Sequence, residues 1–417
     1  MNDKSLYEKI LGVQSPWHVD DVVIDFKAGT ITIKVVHGEG SHFVCPECKK
    51  PKPIHDHRIK RWRHLPTCQL RTIIEAKCPR TSCEKHGIHM IHVPWADGNS
   101  KFTAIFESLV INWLKEASIT AVTRLMDLSW DQVDTIRSHA VKRGLARRQA
   151  KPVRAIGIDE TSFQKRHEYV TVIVDQDTST VVDLLDDRKQ ESLQNYMKAL
   201  PVSHREQIET VSMDMWDPYI AAIRETVEEW KSKICFDRYH VSSHFGKALD
   251  KVRSAEHRQF MAETGESILT KTRHDWLRNS SRTDNRSRRE FMALTRKNLK
   301  TSRAWSIKET AADLWVFFTR GHAENGWNRL IRWMKKSRLQ PMIKLSRTIT
   351  NYLWGIINAI KHQVTNGKSE AINGRIQWIK KMACGFRNRK RFRDAILFHL
   401  GGLNLMPKYY HPTHLKA

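Results

Sequence analysis

The sequence predicts a multidomain α+β protein, and three observations carry that prediction. Two close cysteine pairs sit among strand-like runs near the N-terminus. Residues 102–150 then show apolar spacing of helical period, broken once by a short polar turn. From Pro152 onward, short apolar runs end in aspartates and give way to a long helical stretch. At 417 residues the chain is long enough for two or three domains and a sizeable core.

Composition narrows the partners. The chain has 71 Lys+Arg against 45 Asp+Glu, a formal net charge of +26, with 40% hydrophobic and 28% charged residues. That is a folded chain and not a basic tail, and its charge calls for a polyanion, nucleic acid first. No apolar run is long enough to span a membrane, and neither a lipidation motif nor a signal-peptide core is present, so no membrane partner is expected. The 7 cysteines are odd in number, and four fall in two close pairs. This favours metal ligation in a reducing, cytoplasmic compartment over a disulfide framework.

Taken in order, Val19–Asp25 and Thr30–Val36 read as a hairpin joined by Lys27-Ala-Gly-Thr. Cys45-Pro-Glu-Cys48 and Cys78-Pro-Arg-Thr-Ser-Cys83 follow, each around a prolyl turn. Four thiolates converging from two such turns suit a structural Zn²⁺, so Cys45, Cys48, Cys78 and Cys83 are the expected ligands. Reduced core cysteines are the alternative. His55, His57, His64 and His86 are near enough to replace a ligand, but four cysteines already fill a tetrahedron. Cys68, Cys235 and Cys384 are isolated and read as core residues.

Phe102–Ala117 is one amphipathic helix; Ile119–Met126 is a second; Ser129 then caps a third that starts at Trp130. The last two suit a helix-turn-helix, whose second helix enters the major groove. Asp131, Gln132, Thr135, Arg137 and Ser138 would be its exposed face, with Lys142 and Arg143 at the basic exit. Of these, Gln132, Thr135, Arg137, Ser138, Lys142 and Arg143 are the expected DNA contacts. A plain helical hairpin is the competing reading.

Val153-Arg-Ala-Ile-Gly-Ile-Asp159, Tyr169–Val174 and Val181–Leu185 read as an antiparallel meander. After a helix over Gln190–Leu200, a fourth run, Ile208–Met213, ends in Asp214, and a fifth, from Lys233, ends in Asp237. Carboxylates gathered at strand ends begin a metal-binding acidic site. Residues 241–362 are helical, Trp-rich and basic. The run from Lys271 to Arg303, with Trp276, Phe291 and Trp305 interleaved or adjoining, either tracks a phosphate backbone or is a set of solvated helix faces. Ser369 stands near a late helix start, where Glu370, Asn373 and Gln377 share one face and Ile372, Ile376 and Ile379 another. The helix dipole is a sufficient bland reason for Glu370.

Asp159, Asp214 and Glu370 in these settings resemble the Asp-Asp-Glu triad of RNase H-like transposases. The strings Gly157-Ile-Asp-Glu-Thr-Ser162, Ser212-Met-Asp-Met-Trp216, Phe236-Asp-Arg-Tyr-His-Val241, Asn366-Gly-Lys-Ser-Glu-Ala-Ile-Asn373 and Ala383-Cys-Gly-Phe-Arg-Asn388 resemble blocks of the ISL-three group of bacterial insertion-sequence transposases. The cysteine module and helix-turn-helix fit the same group. The resemblance implies Mg²⁺ or Mn²⁺ held by Asp159, Asp214 and Glu370, with Asp237 and Asn373 in support. It implies binding to terminal inverted repeats, metal-dependent cleavage and strand transfer into target double-stranded DNA, and at least a homodimer on DNA, in the bacterial cytoplasm at the nucleoid. Glu160, Asp183, Asp186, Asp187 and Asp217 are read as solvated or turn-forming. The expected domains are 1–95 (zinc-binding module), 96–150 (helix-turn-helix), 151–240 (catalytic domain, first part), 241–362 (helical insertion) and 363–417 (catalytic domain, C-terminal helical part). Rival readings are a DNA-binding regulator or domesticated transposase without catalysis, an RNase H-like nuclease that cuts without joining, and a zinc hydrolase. The last is disfavoured because the paired cysteines leave no ligand position for water.

Overall fold

The computed structural model describes residues 3–164, 168–278, 285–297, 299–317, 319–364 and 367–408, without the side chains of residues 3, 285–288, 290 and 370. The chain divides into two compact units, Met1–Gln149 with Gly402–Ala417, and Ala150–Gly401.

The first unit opens with helix α1 (Asp3–Leu11) and strands β1 (Trp17–Asp25), β2 (Thr30–His37), β3 (Phe43–Val44), β4 (Pro51–Lys52), β5 (Ile54–Arg63), β6 (Arg71–Cys83) and β7 (Gly87–Met90). The main sheet runs β1-β2-β6-β5, with β7 also on β6. The expected hairpin is β1–β2, closed where the Asp25 carboxylate accepts the Ala28 N–H at 2.9 Å. Alternation does the rest: Ile31, Ile33 and Val35 of β2 and Thr72, Ile74, Ala76 and Cys78 of β6 face inward, around buried Trp62. Helices α2 (Ala104–Glu116), α3 (Ile119–Met126) and α4 (Trp130–Arg147) follow, capped by Thr103, Ser118 and Ser129. Ser129 and Gln132 form a reciprocal capping box, and Asp127 ends α3 in the left-handed region, which forces the break between α3 and α4. Residues 402–408 also belong here. Arg143 donates to the Leu405 carbonyl at 2.8 Å and Arg147 to that of Met406 at 2.5 Å. The chain therefore leaves the second unit after Gly401, and the expected block 363–417 ends there.

In the second unit, β8 (Ala155–Gln164), β9 (Glu168–Asp175) and β10 (Thr180–Leu185) form the expected antiparallel meander. Helices α5 (Gln190–Ala199) and α6 (Val202–Glu206) lead to β11 (Thr210–Met213), and α7 (Asp217–Arg224) and α8 (Trp230–Lys233) lead to β12 (Ile234–Phe236). The sheet order is β10-β9-β8-β11-β12, with β11 parallel to both neighbours. Then come α9 (Arg238–Thr264), α10 (Arg273–Leu277), α11 (Asn285–Thr295), α12 (Lys300–Asp313), α13 (Arg320–Lys336), α14 (Gln340–Lys361), α15 (Gly367–Met382) and α16 (Arg389–Leu400).

The helices over 241–362 share one core with the sheet and do not form a separate body. Gly355 of α14 lies so close to β12 that a Cβ there would stand 2.4 Å from the Phe236 ring. Asn358 of α14 donates to the carbonyls of Lys231 and Ile234 at 2.7 and 2.9 Å. The aromatics set among the cations are interior as well. Trp276 and Phe291 are buried, and Trp276–Phe291 and Phe291–Trp305 pack edge-on at 4.9 and 5.5 Å. They build the helical core and do not form a stacking platform for nucleic acid; residues 279–284 and 298 of that run lie outside the described residues.

Candidate active site and metal centres

Register builds the acidic site. Parallel pairing sets Ser212 beside Gly157 and Met213 beside Phe236. Two steps on, Asp214 comes level with Asp159 of β8; one step on, it comes level with Asp237 after β12. The Asp237 N–H donates to the Met213 carbonyl at 3.0 Å, which locks that alignment. Asp237 also caps α9, accepting the Tyr239 N–H at 2.6 Å, so the strand end and the helix start fix one carboxylate.

The first turn of α9 adds a residue that the sequence reading did not assign. His240 Nδ1 lies 2.8 Å from Asp214 Oδ2 and its Nε2 3.7 Å from Asp237 Oδ2. Asp214, Asp237 and His240 present ligand atoms within 4.8 Å of one another. The readable signal was the spacing: an N-cap aspartate and a histidine three residues later face the same side of a helix.

Crowding of like charge marks this place electrostatically. Burial, then the Asp214 charge, pushes Asp159 up to about 6. Burial pushes Asp237 up to about 7 against the pull of His240. For His240, burial favours the neutral ring, but the Asp214 bond and the surrounding carboxylates outweigh it and raise its pKa.

Helix α15 closes over β8. Asn373 Nδ2 donates to Asp159 Oδ2 at 2.5 Å, Gln377 to Thr161 Oγ1 at 3.2 Å, and Lys380 Nζ to the Ser162 carbonyl at 2.6 Å. At its start, Lys368 donates to the Gln176 carbonyl at 2.7 Å, and Gln176 donates to Ser369 Oγ at 2.9 Å. Ile372, Ile376 and Ile379 are buried on the other face, as their spacing predicts. Glu370 lies in this helix, three residues before Asn373, but its side chain is outside the described part. The nearby acids have other partners. Glu160 faces Arg188 at 3.5 Å, Asp183 accepts from Arg393 at 2.7 Å, and Asp217 accepts from the Tyr352 hydroxyl at 2.7 Å.

The first unit holds a second cluster, and its membership corrects the cysteine expectation. Cys45, Cys48, Cys83 and His86 bring ligand atoms within 4.8 Å of one another; Cys78 is not among them. The supposed turn Cys78–Cys83 is the end of β6. Five strand residues put the two thiols on opposite faces and about 16 Å apart along the strand. Cys78 points into the core, where burial pushes its thiol up to about 11. Cys83 behaves in the opposite way. Burial opposes ionisation, but the His86 and Lys85 backbone N–H groups and the His86 ring bring it down to about 6. The separations Cys48–Cys83 at 3.9 Å and Cys45–His86 at 3.7 Å fit a tetrahedron around Zn²⁺, whose sulfur ligands stand about 3.8 Å apart. The overlooked signal was a repeat of spacing, Cys45-x-x-Cys48 and Cys83-x-x-His86. Of the isolated cysteines, Cys235 is buried, whereas Cys68 and Cys384 are exposed and not core.

A family model described as a transposase matches residues 156–396, more than half of the chain. A helix-turn-helix model of transposase family ISL3 matches residues 91–141, and a zinc-finger model of the transposases IS204/IS1001/IS1096/IS1165 matches residues 41–86. The chain belongs to the ISL3 transposase family. The transposase for insertion sequence element IS1001 of Bordetella parapertussis is 23% identical over 353 residues, spanning 84% of this chain and 86% of that one. The transposase for IS1557 of Mycobacterium tuberculosis is 26% identical over 434 residues, spanning 96% of each. The Drosophila P element transposase strand transfer complex aligns with a TM-score of 0.40 at 9% identity, covering 74% of this chain and 94% of that chain.

An ISL3 transposase is a DNA-cutting and joining enzyme that binds DNA through its helix-turn-helix, here α3–α4. The structure sorts the expected contacts on α4. Asp131, Gln132, Thr135, His139 and Lys142 form one exposed stripe at helical spacing, with Ser138 half-buried beside it. Arg137 and Arg143 do not belong to that face. Arg137 is buried and ion-paired with Asp134 in the same helix. Arg143 reaches Asp97 and buried Glu107, each at 2.9 Å. Their helix positions turn them toward the interior, so these two arginines hold the unit together. No helix among the described residues is long and apolar enough to cross a membrane.

Proposed function

We propose that Asp159, Asp214 and Glu370 form the acidic triad of an RNase H-like centre. In this reading the protein cuts DNA at the inverted repeats flanking an insertion sequence and joins the freed end to target DNA. The observation that carries it is the level alignment of Asp159, Asp214 and Asp237 across three adjacent strands, with the Glu370 helix fastened to Asp159 through Asn373. An antiparallel meander extended by two parallel strands supports the RNase H-like assignment; Asp214 and Asp237 follow the ends of β11 and β12, whereas Asp159, expected at a strand end, lies mid-strand because β8 runs on to Gln164 in its pairing with β9.

The donor set suits a hard divalent cation, Mg²⁺ or Mn²⁺, held by Asp159, Asp214 and Glu370 with Asp237 behind them. Such ions, when bound, activate the attacking oxygen and stabilise the leaving one. The chain supplies placement. Asp237 and its cap hold the β11–β12 corner, Asn373 sets the orientation of the Asp159 carboxylate, and His240 sets that of Asp214. Water attacks the phosphodiester at the element end, and the departing 3′ oxygen becomes a hydroxyl. That hydroxyl then attacks a target phosphodiester, forming a new phosphorus–oxygen bond as the target strand's own 3′ oxygen leaves and becomes a hydroxyl. The exposed stripe of α4, on Gln132, Thr135 and Lys142, reads the repeats, beside a zinc module held by Cys45, Cys48, Cys83 and His86. Two ends must meet, so at least a homodimer assembles on DNA, in the bacterial cytoplasm at the nucleoid.

The test is a cleavage-and-joining assay on labelled DNA bearing the flanking repeats, with Mg²⁺ or with chelator. Metal-dependent nicking at the repeat end followed by joining is expected. Repeat binding without any cut would overturn the catalytic reading and leave a DNA-binding regulator. Cutting without joining would leave a nuclease.

A further inference from the structure

A groove of about 1100 Å³ opens in the second unit along α9. Its lining includes Arg238, Tyr239, Lys247, Trp315, Val316 and Phe317. Two of its lining residues, Arg238 and Tyr239, lie in the first turn of α9 between Asp237 and His240. Arg238 follows Asp237 in the chain, and the Tyr239 ring stands 5.6 Å from the His240 ring that contacts Asp214. It is larger than the roughly 300–1,000 Å³ of sites that enclose one small molecule.

Its surface chemistry is that of a strand-binding channel. Tyr239 is 59% exposed and Val316 64%, large groups left facing water at the mouth. The Arg238 guanidinium lies 5.9 Å over the Trp315 ring. The acids of the lining are already engaged: Asp250 by Arg253 and Arg273, and Glu309 by Lys308. Arg238 and Lys247 therefore set the sign of the groove. Cations that follow a phosphate backbone, interleaved with rings on which bases stack, are what unpaired nucleic acid requires. Duplex DNA cannot use the rings, because its bases are stacked inside.

We propose that this groove holds unpaired nucleotides of the DNA strand at the cleavage position, with a base on Tyr239 and phosphates at Arg238 and Lys247. The proposal rests on the acidic cluster being the strand-cutting centre, since that brings a DNA strand to the groove's mouth.

Binding is measured on the full-length, zinc-loaded protein without added Mg²⁺ or Mn²⁺, where no cutting occurs, with fluorescein-labelled oligothymidylate and a labelled duplex of equal length. Tyr239→Ala should weaken the single strand about tenfold, within the range of one base–aromatic stack, and leave the duplex nearly unchanged. Tyr239→Phe should bind as the parent does. Lys247→Ala should lower the single-strand salt slope by about 0.7. Tyr239 is exposed, so the first variant keeps its fold, and an unchanged thermal unfolding profile of the variant verifies this. Equal losses on both DNA forms, or no loss on either, would overturn the groove. Tyr239-dependent single-strand binding in a protein that never cuts in Mg²⁺ would uphold the groove while removing the acidic triad.

Discussion

Asn373 Nδ2 donates to Asp159 Oδ2 at 2.5 Å across 214 positions of the chain, fastening the helix that carries Glu370 to the strand that carries Asp159. Removing this bond frees a carboxylate that burial and Asp214 already destabilise as an anion. Asn373→Ala should slow strand cleavage by about 10–100-fold, the usual scale for a residue that orients a metal ligand, and raise the Mg²⁺ needed for half-maximal rate. Asn373→Asp should do worse, because it places a like charge beside Asp159. Cleavage rates across a Mg²⁺ titration, with repeat binding as the folding control, check both; a parental rate in Asn373→Ala would exclude the orienting role.

Asp214→Asn keeps the side chain's size and removes its charge. It should abolish cleavage and joining while leaving repeat binding intact. Residual metal-dependent cutting by this variant would remove Asp214 from the site.

The zinc ligands can be separated by a pair of variants. His86→Ala should lose zinc to a competing chelator far more readily than the parent, whereas Cys78→Ala should retain its zinc. Cys78 is buried in the sheet, so its replacement costs packing and not a ligand. Zinc release by Cys78→Ala with retention by His86→Ala would restore the four-cysteine set.

His64 is buried, hydrogen-bonded to Thr103 at 3.0 Å, and held by burial at about 4 instead of 6.5. Its folded pKa lies below the unfolded one, so between these values only the unfolded chain takes up the proton. Stability is therefore fully present above about 6.5 and is lost as pH falls toward about 4, by up to about 3 kcal/mol. Hydrogen exchange of the first unit, followed across that range, should show the loss, and His64→Gln should flatten it.

On α4, Lys142→Ala should weaken repeat binding evenly across sequences and reduce the salt slope by about one, while Thr135→Ala should relax preference at particular bases. Arg143→Ala should act differently. It leaves buried Glu107 without its cation and should destabilise the first unit by about 3 kcal/mol, seen in thermal unfolding without DNA. If Arg143→Ala keeps full stability and loses only DNA, the arginine belongs to the interface after all.

Local signals told most about local features. The alternation in Thr30–Val36, the Ser129 cap and the apolar spacing of Ile372, Ile376 and Ile379 all act within a few residues, and each is found where its pattern put it. Arg137 shows the limit of the same reasoning. A charged residue on a polar helix looks exposed until a partner such as Asp134 and a packed neighbour are known. Trp276 and Phe291 mislead likewise, because aromatics among cations read as a nucleic-acid surface whether they face out or in.

The sequence by itself determined the order of elements, the helix-turn-helix, Asp214 and Asp237 at strand ends and the polyanion partner, because charge, period and capping are written residue by residue; Asp159, expected at a strand end, lies within β8. Tertiary structure alone decided that His86 and not Cys78 joins Cys45, Cys48 and Cys83, that His240 stands between Asp214 and Asp237, and that Asn373 reaches Asp159. Those meetings depend on strand register and on which face a helix buries. A shift of one residue reverses every side chain on a strand, and that choice is made by the whole packed core and not by any one segment.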